Sequence, residues 1–189
     1  ELAKQKNKMN KQRELQKIAE EIQECKVCKI NKSGLAVPGE GNPNAKIMFI
    51  GEAPGKQESL TGRPFVGRSG RFLTSLLNSI GIKREDVYIT SPAKYFPGYR
   101  APTNAEIAHG REHLQKQIKI ISSKLIVLLG NVAARGVLRR SFMVSKFHGQ
   151  LLKENGQDLF FTFHPSAALR FPKIRTLIKS DFKKLSKLL

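Results

Sequence analysis

Residues 46–55 read KIMFIGEAPG. Four apolar residues, Ile47 to Ile50, stand between Lys46 and a glycine, the form of a short strand buried on both faces. Three other segments share it: VYIT at 87–90, LIVLLG at 125–130 and DLFFTF at 158–163. Helical spacing fills the intervals, with RFLTSLLNSIGI after the first strand, NAEIAHGREHLQKQIKII after the second and NVAARGVLRR after the third. Asn104 is a plausible N-cap for the longest of these, with Glu106 in its first turn. Upstream, Leu15, Ile18, Ala19 and Ile22 predict an amphipathic helix over 11–24, and the chain from about Lys173 is helical and basic. Strands alternating with helices predict a three-layer α/β/α fold around a four-stranded, mainly parallel central sheet. In such sheets ligands bind beyond the carboxyl ends of the strands. That rule selects Gly51–Gly55, Ser91–Phe96, Gly130–Asn131 and His164–Arg170.

A chain of 189 residues is one ordinary domain; residues 1–10 are expected as a solvated basic tail and 11–189 as a single domain. Lys and Arg number 34 against 15 Asp and Glu, a formal charge of +19. A field of that sign favours polyanions, nucleic acid first. The charge crowds at the ends: Lys4, Lys6, Lys8, Lys11 and Arg13 stand against Glu1 alone, and from Arg170 onward the only acid is Asp181. No apolar run approaches the ~20 residues of a membrane span. The two cysteines, Cys25 and Cys28, cannot make a disulfide framework, so an intracellular reducing compartment is expected. A monomer is expected too.

Three loops carry polar chemistry. In GEAPGKQESLTGRPFVGRSG (51–70), Glu52 follows directly on a buried strand, and glycines bracket Arg63, Pro64 and Phe65. A Phe in such a loop offers a flat surface on which a base can stack, although the same residues suit an ordinary strand-to-helix turn. In HPSAALR (164–170), His164 ends a strand and Ser166 can cap the turn that follows. A histidine there can donate to a developing anion or act as acid or base; it can also simply sit satisfied near a turn. SPAKYFPGYRAP (91–102) mixes Lys94 and Arg100 with Tyr95, Phe96 and Tyr99, which suits a nucleic-acid strand and equally a plain surface loop.

GEAPG, GRPFVGRSG and HPSAALR, in this order and spacing, resemble the family 4 uracil-DNA glycosylases. So do the CxxC after an N-terminal helix, the phrase VPGEGNPNAKIMFIGEAPG (37–55), and PTNAEI (102–107) ahead of KLIVLLG (124–130). The resemblance runs from about Cys25 to the C-terminus. It implies the uracil-DNA glycosylase fold and hydrolysis of the N-glycosidic bond of uracil, or a related deaminated base, in single- or double-stranded DNA. It implies Glu52 and His164 as catalytic groups, the first serving water and the second the departing base anion. Gly51, Ala53, Glu58, Phe65 and Ser91 fall at base-binding positions. Arg63, Lys94, Arg100, Pro165, Ser166, Ala167 and Arg170 fall where nucleic-acid contacts are expected.

Two departures from the family pattern stand out. The family carries an Asn where this chain has Ser91, and a hydroxyl cannot present an amide's donor and acceptor together. Family members also hold a [4Fe–4S] cluster on four cysteines. Cys25 and Cys28 match the first two, Tyr95 the third, and the fourth falls near Gly110 after a one-residue gap. Two thiolates do not make a four-cysteine site, so a relic CxxC without a cofactor is the expectation, with a Cys₂His₂ zinc set using His109 and His113 as the other option. These losses and the +19 charge also raise an alternative: an inactive glycosylase fold serving as a nucleic-acid-binding or structural component of a ribonucleoprotein such as a ribosome.

Overall fold

A computed structural model of the chain describes residues 2–189, with side-chain surroundings from Gln5 onward. Glu1, and the surroundings of Lys4 in the expected basic tail, lie outside the described residues. Helix α1 (Leu2–Glu24) and the single turn α2 (Lys26–Lys29) lead to β1 (Glu40–Gly41) and β2 (Ile47–Ile50). Next come α3 (Lys56–Thr61), α4 (Arg68–Ser79), β3 (Tyr88–Thr90), α5 (Asn104–Ile121), β4 (Leu125–Leu129) and α6 (Asn131–Leu138). The chain finishes with α7 (Val144–Phe147), β5 (Gln150–Glu154), β6 (Gln157–Thr162), α8 (Pro165–Arg170) and α9 (Pro172–Ser186). The expected break between tail and helix at residue 11 is absent, since residues 2–10 continue the same helix, exposed from 5 to 10.

The four expected strands pair in parallel, β3 on β2, β2 on β4 and β4 on β6. The sheet is larger than expected, six strands in the order β1-β3-β2-β4-β6-β5. Both additions are antiparallel edges. Strand β5 joins β6 through a turn in which Asn155 and Gly156 have φ of 49° and 80°, the positive-φ pair of a tight hairpin.

The parallel strands alternate between two cores because successive side chains point to opposite faces. Phe49, Val127, Leu129 and Phe160 pack with Leu73 and Leu77 of α4 and Ile178 and Phe182 of α9. Met48, Ile50, Ile126, Leu128 and Phe161 pack with Leu15 of α1, Leu114 of α5 and Ala133 of α6. Full burial on both sides explains why the two central strands, β2 and β4, are apolar throughout. Helix α5 is capped by Thr103, not Asn104: Thr103 Oγ1 accepts from Glu106 N–H, and the Glu106 carboxylate accepts from Thr103 N–H, a reciprocal capping box. All four parallel strands end on one side, which brings Gly51, Ser91, Gly130 and His164 to a common edge.

Candidate active site

A cavity of about 460 Å³ opens at that edge, with Glu52, Phe65, Ser91, Phe96, His164 and Arg170 in its walls. Gly51 sits at the strand end behind the Phe65 ring and the His164 imidazole. A Cβ at this position would lie 2.6 Å from the Phe65 ring and 3.7 Å from His164 Nε2, so only glycine lets the ring and the imidazole close over the strand end. The two rings sit 5.6 Å apart, tilted by 36°.

Phe65 is held in a costly conformation. Its φ is +50°, a left-handed backbone that a bulky residue adopts only when its surroundings enforce it. Arg84 Nη1 donates to Phe65 O at 2.9 Å and Nη2 to Pro64 O. Gly70 passes so close that a Cβ there would fall 1.9 Å from Phe65 O. Glu58, expected as a base-binding group, is part of the same brace. Its Oε1 accepts from Val66 and Gly67 N–H, both at 2.8 Å, and its Oε2 from Gly55 N–H at 3.1 Å. With both oxygens engaged by backbone, Glu58, which also lines the cavity, joins the two halves of the loop and braces it.

His164 is the N-cap of α8, a place the sequence suggested for Ser166. Its Nδ1 accepts from Ser166 N–H at 3.2 Å, with Ser166 Oγ 2.7 Å away. An Nδ1 that accepts leaves the ring proton on Nε2, the nitrogen facing Gly51 and Phe65. Burial pushes the His164 pKa down to about 4, and the Glu58 charge opposes this only in part. The ring is therefore a neutral N–H donor aimed into the cavity. Glu52 is partly buried, which raises its carboxyl above the usual range, while the Arg170 charge pulls it back. Ser91 is buried, and its hydroxyl donates to Ala93 O at 2.8 Å. What it offers the cavity is a lone pair.

Ala53 and Ser166 also line the cavity, with Arg100 at its rim. Pro165 and Ala167 stand behind it in the first turn of α8. Arg63 does not reach the cavity: its Nε and Nη2 bind the Glu40 carboxylate at 2.7 and 2.8 Å on a neighbouring surface. Arg100 is similarly paired with Glu106. Both pairs are exposed, and such pairs contribute little and exchange readily. Lys94 is a correction. Only 2% exposed, it cannot touch nucleic acid; its Nζ donates to Thr90 Oγ1 and Gln117 Oε1 at 2.8 Å and to Pro38 O at 3.1 Å. Burial lowers its pKa to about 7. The alternation of cations and aromatics in 91–102 suggested a surface loop, but Ala93 to Tyr95 turn inward. Arg84 and Gly70 were missed because their roles depend on contacts with distant backbone.

The CxxC lies apart from the cavity, between the end of α1 and α5. Four thiolates are not present. Tyr95, at the third family position, is buried and turns its hydroxyl to the carbonyl oxygens of Ile22 and Gln23 at 3.4 and 3.2 Å. At Gly110, near the fourth, a Cβ would fall 1.9 Å from Pro92 O, which leaves no room for a cysteine. The residues present do not fit a four-cysteine cluster. Two cysteines near a histidine pair, His109 and His113, are what the structure places here. Among the described residues no helix is long and apolar enough to cross a membrane.

A family model described as the uracil DNA glycosylase superfamily matches residues 38–186. A Type-4 uracil-DNA glycosylase of Sulfurisphaera tokodaii is 40% identical over 185 residues, covering 92% of this chain and 84% of that protein. One from Saccharolobus solfataricus is 41% identical over 183 residues, covering 91% and 85%. One from Archaeoglobus fulgidus is 39% identical over 184 residues, covering 92% of each.

Proposed function

The chain belongs to the uracil DNA glycosylase superfamily, and from that membership we propose that it hydrolyses the N-glycosidic bond of uracil, or a related deaminated base, in DNA. The observation that carries this reading is the neutral His164 Nε2–H facing Phe65 across Gly51, with Glu52 in the same cavity.

The base must first leave the stack, which costs a few kcal/mol; stacking on Phe65 and attraction to the basic surface offset it. As the C1′–N1 bond breaks, its electron pair departs with the base and the sugar becomes cation-like. Negative charge spreads to the base oxygens, where a fixed neutral N–H donor gains strength as the charge grows. A neutral donor meets that anion without protonating it beforehand. Glu52, when ionised, favours the cationic sugar and orients the water whose oxygen joins C1′. Arg170, which draws Glu52 toward its charged form, supports this role.

Ser91 reads the base by a simpler rule than an amide would. With its proton spent on Ala93 O, its oxygen accepts only. Deamination turns an acceptor ring nitrogen into an N–H, as at N3 of uracil compared with cytosine. An acceptor at Ser91 therefore favours the deaminated base.

We read the chain as a single glycosylase domain, with the exposed start of α1 as its basic extension, acting as a monomer on single- or double-stranded DNA. The ribonucleoprotein alternative is disfavoured, because a retired pocket has no reason to keep Gly51, Phe65 and His164 in register, and the relatives bear the name of the activity. The test is a gel assay on a uracil-containing oligonucleotide followed by alkaline cleavage. Cleavage at the uracil is expected. An intact oligonucleotide that is nevertheless bound would overturn the reading.

A further inference from the structure

Away from the cavity, the donor atoms of Cys25, Cys28, His109 and His113 all lie within 4.8 Å of one another. Two elements build this cluster. Cys25 caps α2, its sulfur accepting from Cys28 N–H at 3.4 Å, so both thiols are held on one side of a single turn. His109 and His113 are one helical turn apart on α5 and share a face, their rings 5.7 Å apart and nearly perpendicular. The two halves touch, Cys25 Sγ lying 3.1 Å from His109 Nε2.

A separate observation shows that the cluster is incomplete as it stands. His113 is only 7% exposed, and neither of its ring nitrogens has a hydrogen-bond partner. A buried imidazole without partners is costly, and a ligand at the centre of the four donors would satisfy it.

The spacing selects the ligand. Donors on one tetrahedral ion, at ~2.3 Å for sulfur and ~2.0–2.1 Å for nitrogen, stand about 3.3–3.8 Å from each other. The cluster closes to that by side-chain adjustments of about an ångström. A cubane holds its four ligands on four different irons and needs them much farther apart. A two-iron centre with histidine ligands puts the imidazoles and the thiolates on opposite irons, which the contact between Cys25 and His109 forbids. Two thiolates would also neutralise a dication, a gain in a partly buried site packed against Tyr95 and Ile22. We propose that Cys25, Cys28, His109 and His113 bind a single zinc-class divalent cation, a structural staple between the end of α1 and α5 at the place where the family's cluster would lie.

The test uses the full chain, expressed with both iron and zinc supplied and purified without chelators. Zinc, iron and acid-labile sulfide are measured, and X-ray absorption at the zinc edge reads the ligands directly. The expected result is one zinc per chain with two sulfur and two nitrogen ligands. After metal removal, cobalt should give the visible bands of a tetrahedral site together with thiolate charge transfer, and zinc should abolish them. In His113→Ala the cobalt spectrum should be lost or altered, whereas in His148→Ala, away from the cluster, it should be unchanged. A wild-type protein that takes up neither zinc nor cobalt would overturn the proposal. So would iron with stoichiometric sulfide, or a zinc edge lacking nitrogen ligands. The edge measurement requires only the wild-type chain, so the proposal remains testable even if a variant fails to fold.

Discussion

Replacing His164 with alanine removes one donor from the cavity wall, together with the N-cap of α8 and the ring packed on Phe65. The structure sets the magnitude. His164 Nδ1 is engaged by Ser166 N–H, so Nε2–H is the only hydrogen the ring offers. With a pKa of about 4, only about one molecule in a thousand carries the imidazolium at pH 7. The interaction lost is thus a neutral N–H on a developing oxyanion, a change that typically costs ~2.7–4 kcal/mol, or ~10²–10³ in rate. Because charge on the base appears mainly in the transition state, the loss should fall on the chemical step and spare binding. The assay is single-turnover cleavage of a uracil oligonucleotide with enzyme in excess, alongside affinity for an uncleavable analogue.

The pH dependence sharpens the test. A histidine at its ordinary ~6.5 would impose an acid limb on the rate near neutrality, whereas His164 should impose none until about pH 4. Stability moves the same way. The folded pKa lies below the unfolded one, so the unfolded chain binds the proton more readily between about 4 and ~6.5, and wild-type stability rises with pH through that window. The His164→Ala variant lacks this contribution, so the stability gap between the two proteins should vary across the window and be constant above it. A variant that keeps the wild-type single-turnover rate would refute the reasoning. So would a wild-type limb near pH 6.5 that disappears in the variant.

Phe65→Ala should mainly weaken capture of the flipped base, by the ~1–3 kcal/mol that stacking contributes; a loss confined to the saturated rate, with analogue affinity intact, would contradict that placement. Ser91→Asn supplies a donor beside the acceptor and should raise cleavage of uracil in single-turnover assays, whereas Ser91→Ala should lower it; equal rates in all three would remove Ser91 from base recognition. Lys94→Met strips a donor from Thr90, Gln117 and Pro38 and should destabilise by ~1–3 kcal/mol, read by urea unfolding; unchanged nucleic-acid affinity should accompany it, since the side chain is buried.

The parallel sheet was legible because burial on both faces forces unbroken apolar runs, and Ile47 to Ile50 and Leu125 to Leu129 have that form. Strand β5 was not, since QLLKE has one face open to solvent and its burial alternates weakly. Its signal was the turn, where Asn155-Gly156 is a strong hairpin dipeptide. The cavity residues that follow strands directly, Glu52, Ser91 and His164, could be found by rule. Phe65 stood out in its loop as a possible stacking surface and was decided by the resemblance, and its strained backbone depends on Arg84, 19 residues away. Lys94 went wrong for a general reason: a lysine in an aromatic-rich loop suggests solvent, and nothing local reveals that Gln117, 23 residues on, waits inside to receive it.

The segment from Ser91 to Arg100 ties these observations together. It leaves β3 in the cavity at Ser91 and then buries Lys94 against Gln117 of α5. Tyr95 reaches the carbonyl groups that end α1. Phe96, in a bridge with Ser33, stacks edge-on with Tyr99 at 5.6 Å, back at the cavity rim. A short, irregular stretch keeps one conformation only if its buried turns are anchored. Here the anchors are the junction of α1 with α5, where Cys25, Cys28, His109 and His113 meet. In this chain the cluster region therefore bears on the cavity through packing: it fixes the floor on which Tyr95 rests, and that floor sets where Phe96, Tyr99 and Arg100 stand at the cavity rim. Neither electron transfer nor four thiolates are required for that task, and any tight connection between α1 and α5 would meet it.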